Sequence, residues 1–136
     1  MQLMFQFLTL AGAVTLFLFG LGLLSVGLQK VAGDGLRSFL ASMTSNAFKR
    51  LVTGIGVTAA IQSSTATTIM VVSFVNAGLL TLAQAIGVIM GANIGTTVTS
   101  NIAALTANAQ ARRAALAHFI FNTFGVIWIL CIFHPF

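Results

Sequence analysis

Apolar residues run along this chain in long blocks, and polar side chains collect at a few places between and inside them. Residues 3–28 carry no charge and are dominated by Leu, Phe and Gly. At 1.5 Å per residue, about 20 helical residues cross a hydrocarbon core, so this block predicts a transmembrane helix. Gly12, Gly20 and Gly22 would weaken a soluble helix but suit close helix contacts in a bilayer. Residues 29–50 form a connector that holds five of the seven charges. Gly33-Asp34-Gly35 is its turn signal. A short interfacial helix is expected over residues 38–48, with Phe39, Leu40, Met43 and Phe48 toward lipid or protein.

The next 61 residues, 51–111, contain no Asp, Glu, Lys, Arg or His. Two polar stretches interrupt them. The first is Gln62-Ser63-Ser64-Thr65-Ala66-Thr67-Thr68. Residues 51–61 ahead of it would make about 16 Å of helix, roughly half the hydrocarbon thickness. That arithmetic favours a re-entrant hairpin over residues 51–80, its tip near the midplane and its return limb over 67–76. One continuous span is the alternative. The second stretch, Gly91-Ala92-Asn93-Ile94-Gly95-Thr96-Thr97, falls half-way along the next span, residues 82–108, and predicts a break there. Gly87, Gly91 and Gly95 recur every four residues, which is also a helix-packing stripe. Arg112-Arg113 marks the following interface, and residues 114–133 form the last span, ended by Pro135. The expected fold is all-α and integral to the membrane, with three transmembrane helices, the second discontinuous, and one re-entrant hairpin.

Composition agrees with a membrane protein. Of 136 residues, 58% are hydrophobic and 5% charged, with mean hydropathy +1.06, whereas soluble domains carry about a quarter charged residues. The net charge of +5 comes from six Lys and Arg against one acid, Asp34. Lys30, Arg37, Lys49 and Arg50 lie in one connector and Arg112-Arg113 in another, which suits topology anchors. They are too sparse for a nucleic-acid surface. With a re-entrant hairpin the two basic loops lie on opposite sides, so the orientation is weakly specified. Cys131 allows no internal disulfide. No cleavable signal is expected, because the opening apolar stretch is too long and no basic residue precedes it.

The two polar stretches carry the chemistry. A hairpin tip leaves helix-end N–H groups without intrahelical partners, and with the positive end of the helix dipole they make an anion site in the absence of Lys or Arg. Ser63, Ser64 and Thr65 add hydroxyl donors, and the Gln62 amide both donates and accepts. A tetrahedral oxyanion such as phosphate suits this set. The opposite terminus, unwound carbonyls and the side chains of Asn93, Thr96 and Thr97 offer neutral oxygens suited to Na⁺. Discontinuous helices used in this way mark secondary transporters. The bland alternative makes these hydroxyls interhelical glue.

These residues also resemble a known family. Gln62-Ser63-Ser64-Thr65 is similar to the QSSS motif of the type II sodium–phosphate cotransporters. Met90-Gly91-Ala92-Asn93-Ile94-Gly95-Thr96-Thr97-Val98-Thr99 resembles that family's MGANIGT-hydroxyl-VT stretch, and Arg112-Arg113-Ala114 with His118 and Asn122 its RRA…HxxxN segment. The resemblance implies sodium-coupled phosphate transport and covers one of the two inverted repeats. It places phosphate contacts on Gln62, Ser63, Ser64 and Thr65. Sodium contacts fall on Gln62, Ser64, Thr68, Asn93, Thr96 and Thr97, with His118 and Asn122 as second-shell candidates. No cofactor or transition metal is implied, Na⁺ being the coupling ion.

Three departures stand out. Thr65 replaces the third Ser of the motif, keeping the hydroxyl and adding a methyl. Phe119 follows His118 where electrogenic animal members carry Asp, which puts a third coupling ion in doubt. The second repeat is missing, so the chain is expected to act as a half-transporter. Its complement is an antiparallel homodimer or a separate repeat chain, in a bilayer expected to be a bacterial inner membrane.

Other functions fit less well. Thr53-Gly54-Ile55-Gly56-Val57 superficially resembles a potassium-channel filter but lacks the aromatic residue. A drug–proton antiporter needs a membrane-embedded carboxylate, and the spans hold none. A structural assembly subunit is a further alternative. An enzyme is not expected, because no acidic dyad or nucleophile–base pair is visible. His118 in a span, His134 at the chain end, Trp128 and Asp34 fit packing, interfacial or loop positions.

Overall fold

The computed structural model describes residues 1–31 and 33–132; His134 and Pro135, and the expected end of the last span at 133, lie outside them. Six helices follow one another, and no strand occurs among the described residues. They are α1 (Gln2–Val31), α2 (Asp34–Met43), α3 (Ala47–Ile61), α4 (Ser64–Asn76), α5 (Leu82–Ala104) and α6 (Ala109–Ile132). Among the described residues, three stretches are long and apolar enough to cross a membrane: Gln2–Gly27, Leu82–Ala104 and Ala109–Ile132.

The connector folds differently from expectation. The helix foreseen over 38–48 is instead α2, which starts at Asp34 and ends at Met43, capped by Thr44, whose hydroxyl donates to the Leu40 carbonyl at 2.6 Å. Asn46 then caps a new helix, its Oδ1 accepting from the Lys49 N–H at 2.8 Å. A side-chain cap of this kind satisfies a first-turn N–H and starts α3 four residues before the expected limb. At 15 residues, α3 is about 22 Å long rather than 16 Å.

α3 stops at Gln62, and α4 folds back along it. The reversal is marked by a hydrogen bond from Thr58 Oγ1 to Thr67 Oγ1 at 3.0 Å across the break. At the far end of α4, Gly78 takes φ +70°, and its carbonyl accepts from the Arg37 guanidinium at 3.5 Å, tying the hairpin's open end to α2. A capping box between Thr81 and Gln84 starts α5. The Gln84 amide also donates to the buried Thr44 hydroxyl at 2.8 Å, so α5 is registered against the connector.

The break expected at Gly91–Thr97 is not present: α5 runs unbroken from Leu82 to Ala104. Its glycines are packing surface. A Cβ at Gly91 would fall on the Leu51 carbonyl of α3, and one at Gly54 would fall on the Val88 carbonyl of α5. Without those two side chains the helices meet backbone to backbone, and regular α-helix satisfies every carbonyl that unwinding would expose. By contrast Gly12, Gly20 and Gly22 of α1 face open space, so they make no close helix contact among the described residues. The end of α5 also comes earlier than the expected 108. Asn108 caps α6, its Oδ1 accepting from the Ala111 N–H at 2.9 Å, so Arg112 and Arg113 lie inside the helix rather than ahead of it.

α5 is the centre of the packing, with α3 and α4 against one side and α6 against another. Val71, Leu80, Ala85 and Val88 form one buried cluster; Met90, Ile94 and Val126 form a second, with Leu51, Ile55 and Phe119 packed on it. Half of the α5 span is buried, whereas α1 and α6 keep almost all of theirs exposed. Phe5, Phe7 and Phe19 of α1 and Phe121, Phe124 and Trp128 of α6 present large apolar surface outward. Such surface suits lipid or a further helical unit.

Candidate functional site

The candidate site is the helix break between α3 and α4. Gln62 is left-handed, with φ 60° and ψ 25°, and its N–H donates to the Thr58 carbonyl at 2.7 Å. It is the only non-glycine with positive φ among the described residues. An L-residue there carries a cost of order 1 kcal/mol. Ser63 is extended, and its Oγ accepts from the Ala66 N–H at 3.1 Å while its carbonyl accepts from the Thr67 N–H at 3.1 Å. These bonds use two first-turn donors of α4. The N–H groups of Ser64 and Thr65 have no partner among the described residues.

Two helix ends therefore meet at one point. α4 offers free N–H groups with the positive end of its dipole, and the last turn of α3 offers carbonyls without helical partners. Gln62 and Thr65 are exposed, and Ser63, Ser64 and Thr68 are half-buried, so the tip is open on its outer side. The hydroxyls of Ser64, Thr65 and Thr68 and the Gln62 amide make no hydrogen bond among the described residues and are free to serve a ligand. The nearest cation along α3 is Arg50, twelve residues and about 18 Å of helix away. An anion placed at this tip would meet helix-end dipoles and hydroxyls rather than a cation of α3.

The structure brings Gln62, Ser63, Ser64, Thr65 and Thr68 to one turn. The second group makes no hydrogen bond to them among the described residues. The Thr96 hydroxyl donates to the Ala92 carbonyl at 3.1 Å, and the buried Thr97 hydroxyl donates to the Ile94 carbonyl at 2.6 Å, both inside α5. Asn93 is exposed, and its carbonyl accepts from the Asn122 amide of α6 at 3.3 Å. The unwound carbonyls expected here are absent, since α5 is regular helix. His118 is exposed on α6. Thr53 to Val57 lie within α3, so their carbonyls are used by the helix and form no filter.

The two motifs nevertheless touch, through Gly95, Thr67 and a residue the sequence did not single out, Thr58. A Cβ at Gly95 would lie 2.9 Å from both Thr58 Cβ and the Ile55 carbonyl. Thr58 in turn donates to Thr67, and Thr67 Oγ1 donates to the Ser63 carbonyl at 3.0 Å. The available signal was positional, for Thr58 and Thr67 stand equally far on either side of the Gln62–Ser63 bond.

Comparison with known proteins fits this geometry. The family model described as Na⁺/Pi-cotransporter matches residues 16–133. This chain belongs to that family. It is 39% identical over 133 residues to human sodium-dependent phosphate transport protein 2B, covering 92% of this chain and 19% of the relative. It is 40% identical over 129 residues to rat sodium-dependent phosphate transport protein 2A, covering 88% of this chain and 20% of the relative. A third relative, YjbB of Escherichia coli (strain K12), is named for inorganic phosphate export; identity is 38% over 99 residues, 73% of this chain and 18% of that one. The chain spans about a fifth of the length of these relatives. No solved structure matches it. Membership in a cotransporter family, with three apolar helices of spanning length, makes it an integral membrane protein.

Proposed function

We propose that this chain supplies one half of a sodium-coupled phosphate transport site. The observation that carries the proposal is the Gln62–Ser63 break, where free N–H groups and unbonded hydroxyls collect inside a 61-residue stretch that holds no charged side chain. Phosphate sits at the N-terminus of α4, held by the Ser64 and Thr65 N–H groups and by the hydroxyls of Ser63, Ser64 and Thr65. Na⁺ takes the oxygens beside it: the carbonyl end of α3, Gln62, Ser64 and Thr68. Sodium neutralises the anion and orders the tip, so the two bind together.

The α3–α4 pair is a re-entrant hairpin in this reading. At about 22 Å and 20 Å its limbs fall short of the roughly 30 Å hydrocarbon core, which supports entry and exit on one side. An open tip requires a second repeat to close it, either an antiparallel copy of this chain or a separate chain. Asn93, Thr96 and Thr97 serve sodium only if α5 unwinds during the cycle; Asn122 positions Asn93 through its backbone. Phe119 packs against Met90, Ile94 and Val126 in place of a charged site, in keeping with fewer coupling ions. The relatives include one named for export, so the direction of net flux follows the gradients. A bacterial inner membrane is the proposed setting.

The test is reconstitution of the purified chain in liposomes, followed by labelled-phosphate uptake with and without an inward sodium gradient. Saturable, sodium-dependent uptake that falls more than tenfold in Ser64→Ala and Gln62→Ala is expected. Sodium-independent ion current would point to a channel. Uptake by an assembled complex that ignores both substitutions would reduce the chain to a structural subunit.

A further inference from the structure

Six Ser and Thr side chains are almost completely buried: Ser25, Thr44, Thr58, Thr67, Ser73 and Thr97. Five of them bond to a carbonyl three or four residues back, the usual refuge of a hydroxyl in an apolar helix. Thr58 departs from that habit. Its hydroxyl leaves its own helix and donates across the break to Thr67 Oγ1, which passes the bond to the carbonyl of Ser63. Behind Thr58 stands Gly95, whose missing side chain is what allows α5 to press against it. The carbonyl so held belongs to the residue that caps α4, whose Oγ already takes the Ala66 N–H.

The geometry points to Thr58 and Thr67 as a positioning pair: a buried hydroxyl relay, braced by Gly95, that fixes Ser63 and thereby the direction in which the first N–H groups of α4 face an anion. Neither residue reaches the ligand, since both are sealed from solvent. A pair of this kind matters because a dipole site with no cation depends on orientation alone; a tip free to swing would spread its N–H groups over many directions. Thr65 adds a methyl at the tip, but Thr58 and Thr67 decide where the tip points. The relay also gives the second motif a structural task, because Gly95 seats the hairpin while the Thr96 and Thr97 hydroxyls bond inside α5. The positioning role rests on the proposed phosphate site, whereas the relay itself does not.

The experiment compares Thr58→Val, Thr58→Ser and Thr67→Val with the wild type in lipid nanodiscs and liposomes. Valine keeps the shape against Gly95 and removes the hydroxyl; serine keeps the hydroxyl. Hydrogen exchange at the Ala66 and Thr67 amides should quicken about two- to tenfold in both valine variants, the range expected for one lost neutral hydrogen bond. Amides of α5 should stay unchanged and Thr58→Ser should match the wild type. In the uptake assay KM for phosphate should rise by a similar factor, with kcat within about twofold. Wild-type exchange in the valine variants, or a Thr58→Ser variant as loose as Thr58→Val, overturns the relay. A loosened tip with unchanged KM overturns its positioning role. If the wild type alone takes up no phosphate, the antiparallel-copy version of the transport reading fails, and the exchange data alone decide the relay. Should Thr58→Val fail to fold, Thr67→Val probes the same bond from the α4 side.

Discussion

Gly91→Ala is the sharpest probe of how this hairpin is seated. On helix propensity alone the change is favourable, since alanine is about 1 kcal/mol better than glycine in a helix interior. The tertiary contact opposes it. The added Cβ falls on the Leu51 carbonyl oxygen and lies 3.0 Å from the Gly54 Cα, against an ordinary separation of about 3.5–4.0 Å. Both obstacles are backbone, so no rotamer change relieves them and α3 must move away from α5. Overpacking costs about 1–3 kcal/mol, and a rigid obstacle puts this case at the upper end. After the gain in propensity, a net loss of about 2 kcal/mol is expected. Gly56 is the control: it lies in α3 with nothing within 4 Å of its would-be Cβ, so Gly56→Ala should be neutral or stabilise by up to about 1 kcal/mol. Unfolding of the two variants in the same detergent, followed by circular dichroism, measures the difference. Equal midpoints for Gly91→Ala and Gly56→Ala would falsify the backbone-contact reasoning.

Gln62→Gly should relieve the left-handed backbone and raise stability by about 1 kcal/mol, yet lower sodium-dependent phosphate uptake; a glycine variant that transports like the wild type removes the Gln62 side chain from the site. Asn101→Leu should loosen α6 from α5, because the Asn101 amide donates to both Thr97 O at 2.8 Å and Ala115 O at 3.0 Å. The expected loss is about 1 kcal/mol in detergent unfolding, with faster exchange in α6; no change there would mean that the bridge contributes nothing. Single cysteines placed in the connector between α1 and α3, in a Cys131→Ser background, should be labelled from both faces of the membrane by an impermeant thiol reagent. Labelling from one face only excludes the antiparallel homodimer and leaves a separate repeat chain.

Much of this protein was legible as pattern. Apolar blocks of about 20 residues fit helices that satisfy their backbone inside lipid, so α1, α5 and α6 follow from hydropathy. A run of four polar side chains inside such a block favours a break over one continuous span, and Gln62 is where α3 ends. The connector was harder, because Asn46 as a cap depends on a local competition between continuing α2 and starting α3. The second motif was ambiguous for a deeper reason. Glycines every four residues mean a weakened helix or a helix pressed against another, and the two differ only in what lies opposite. Leu51 and Gly54 lie opposite, forty residues earlier in the chain, and their backbone decided for an unbroken α5. The same holds for Thr58 and Thr67: the residues are visible in the sequence, but only folding α4 back on α3 brings their hydroxyls within bonding distance. Sequence by itself set where helices run and where the chain must break, through solvation; the tertiary structure decided which small residues are contacts and which hydroxyls are partners, because that depends on distance across space.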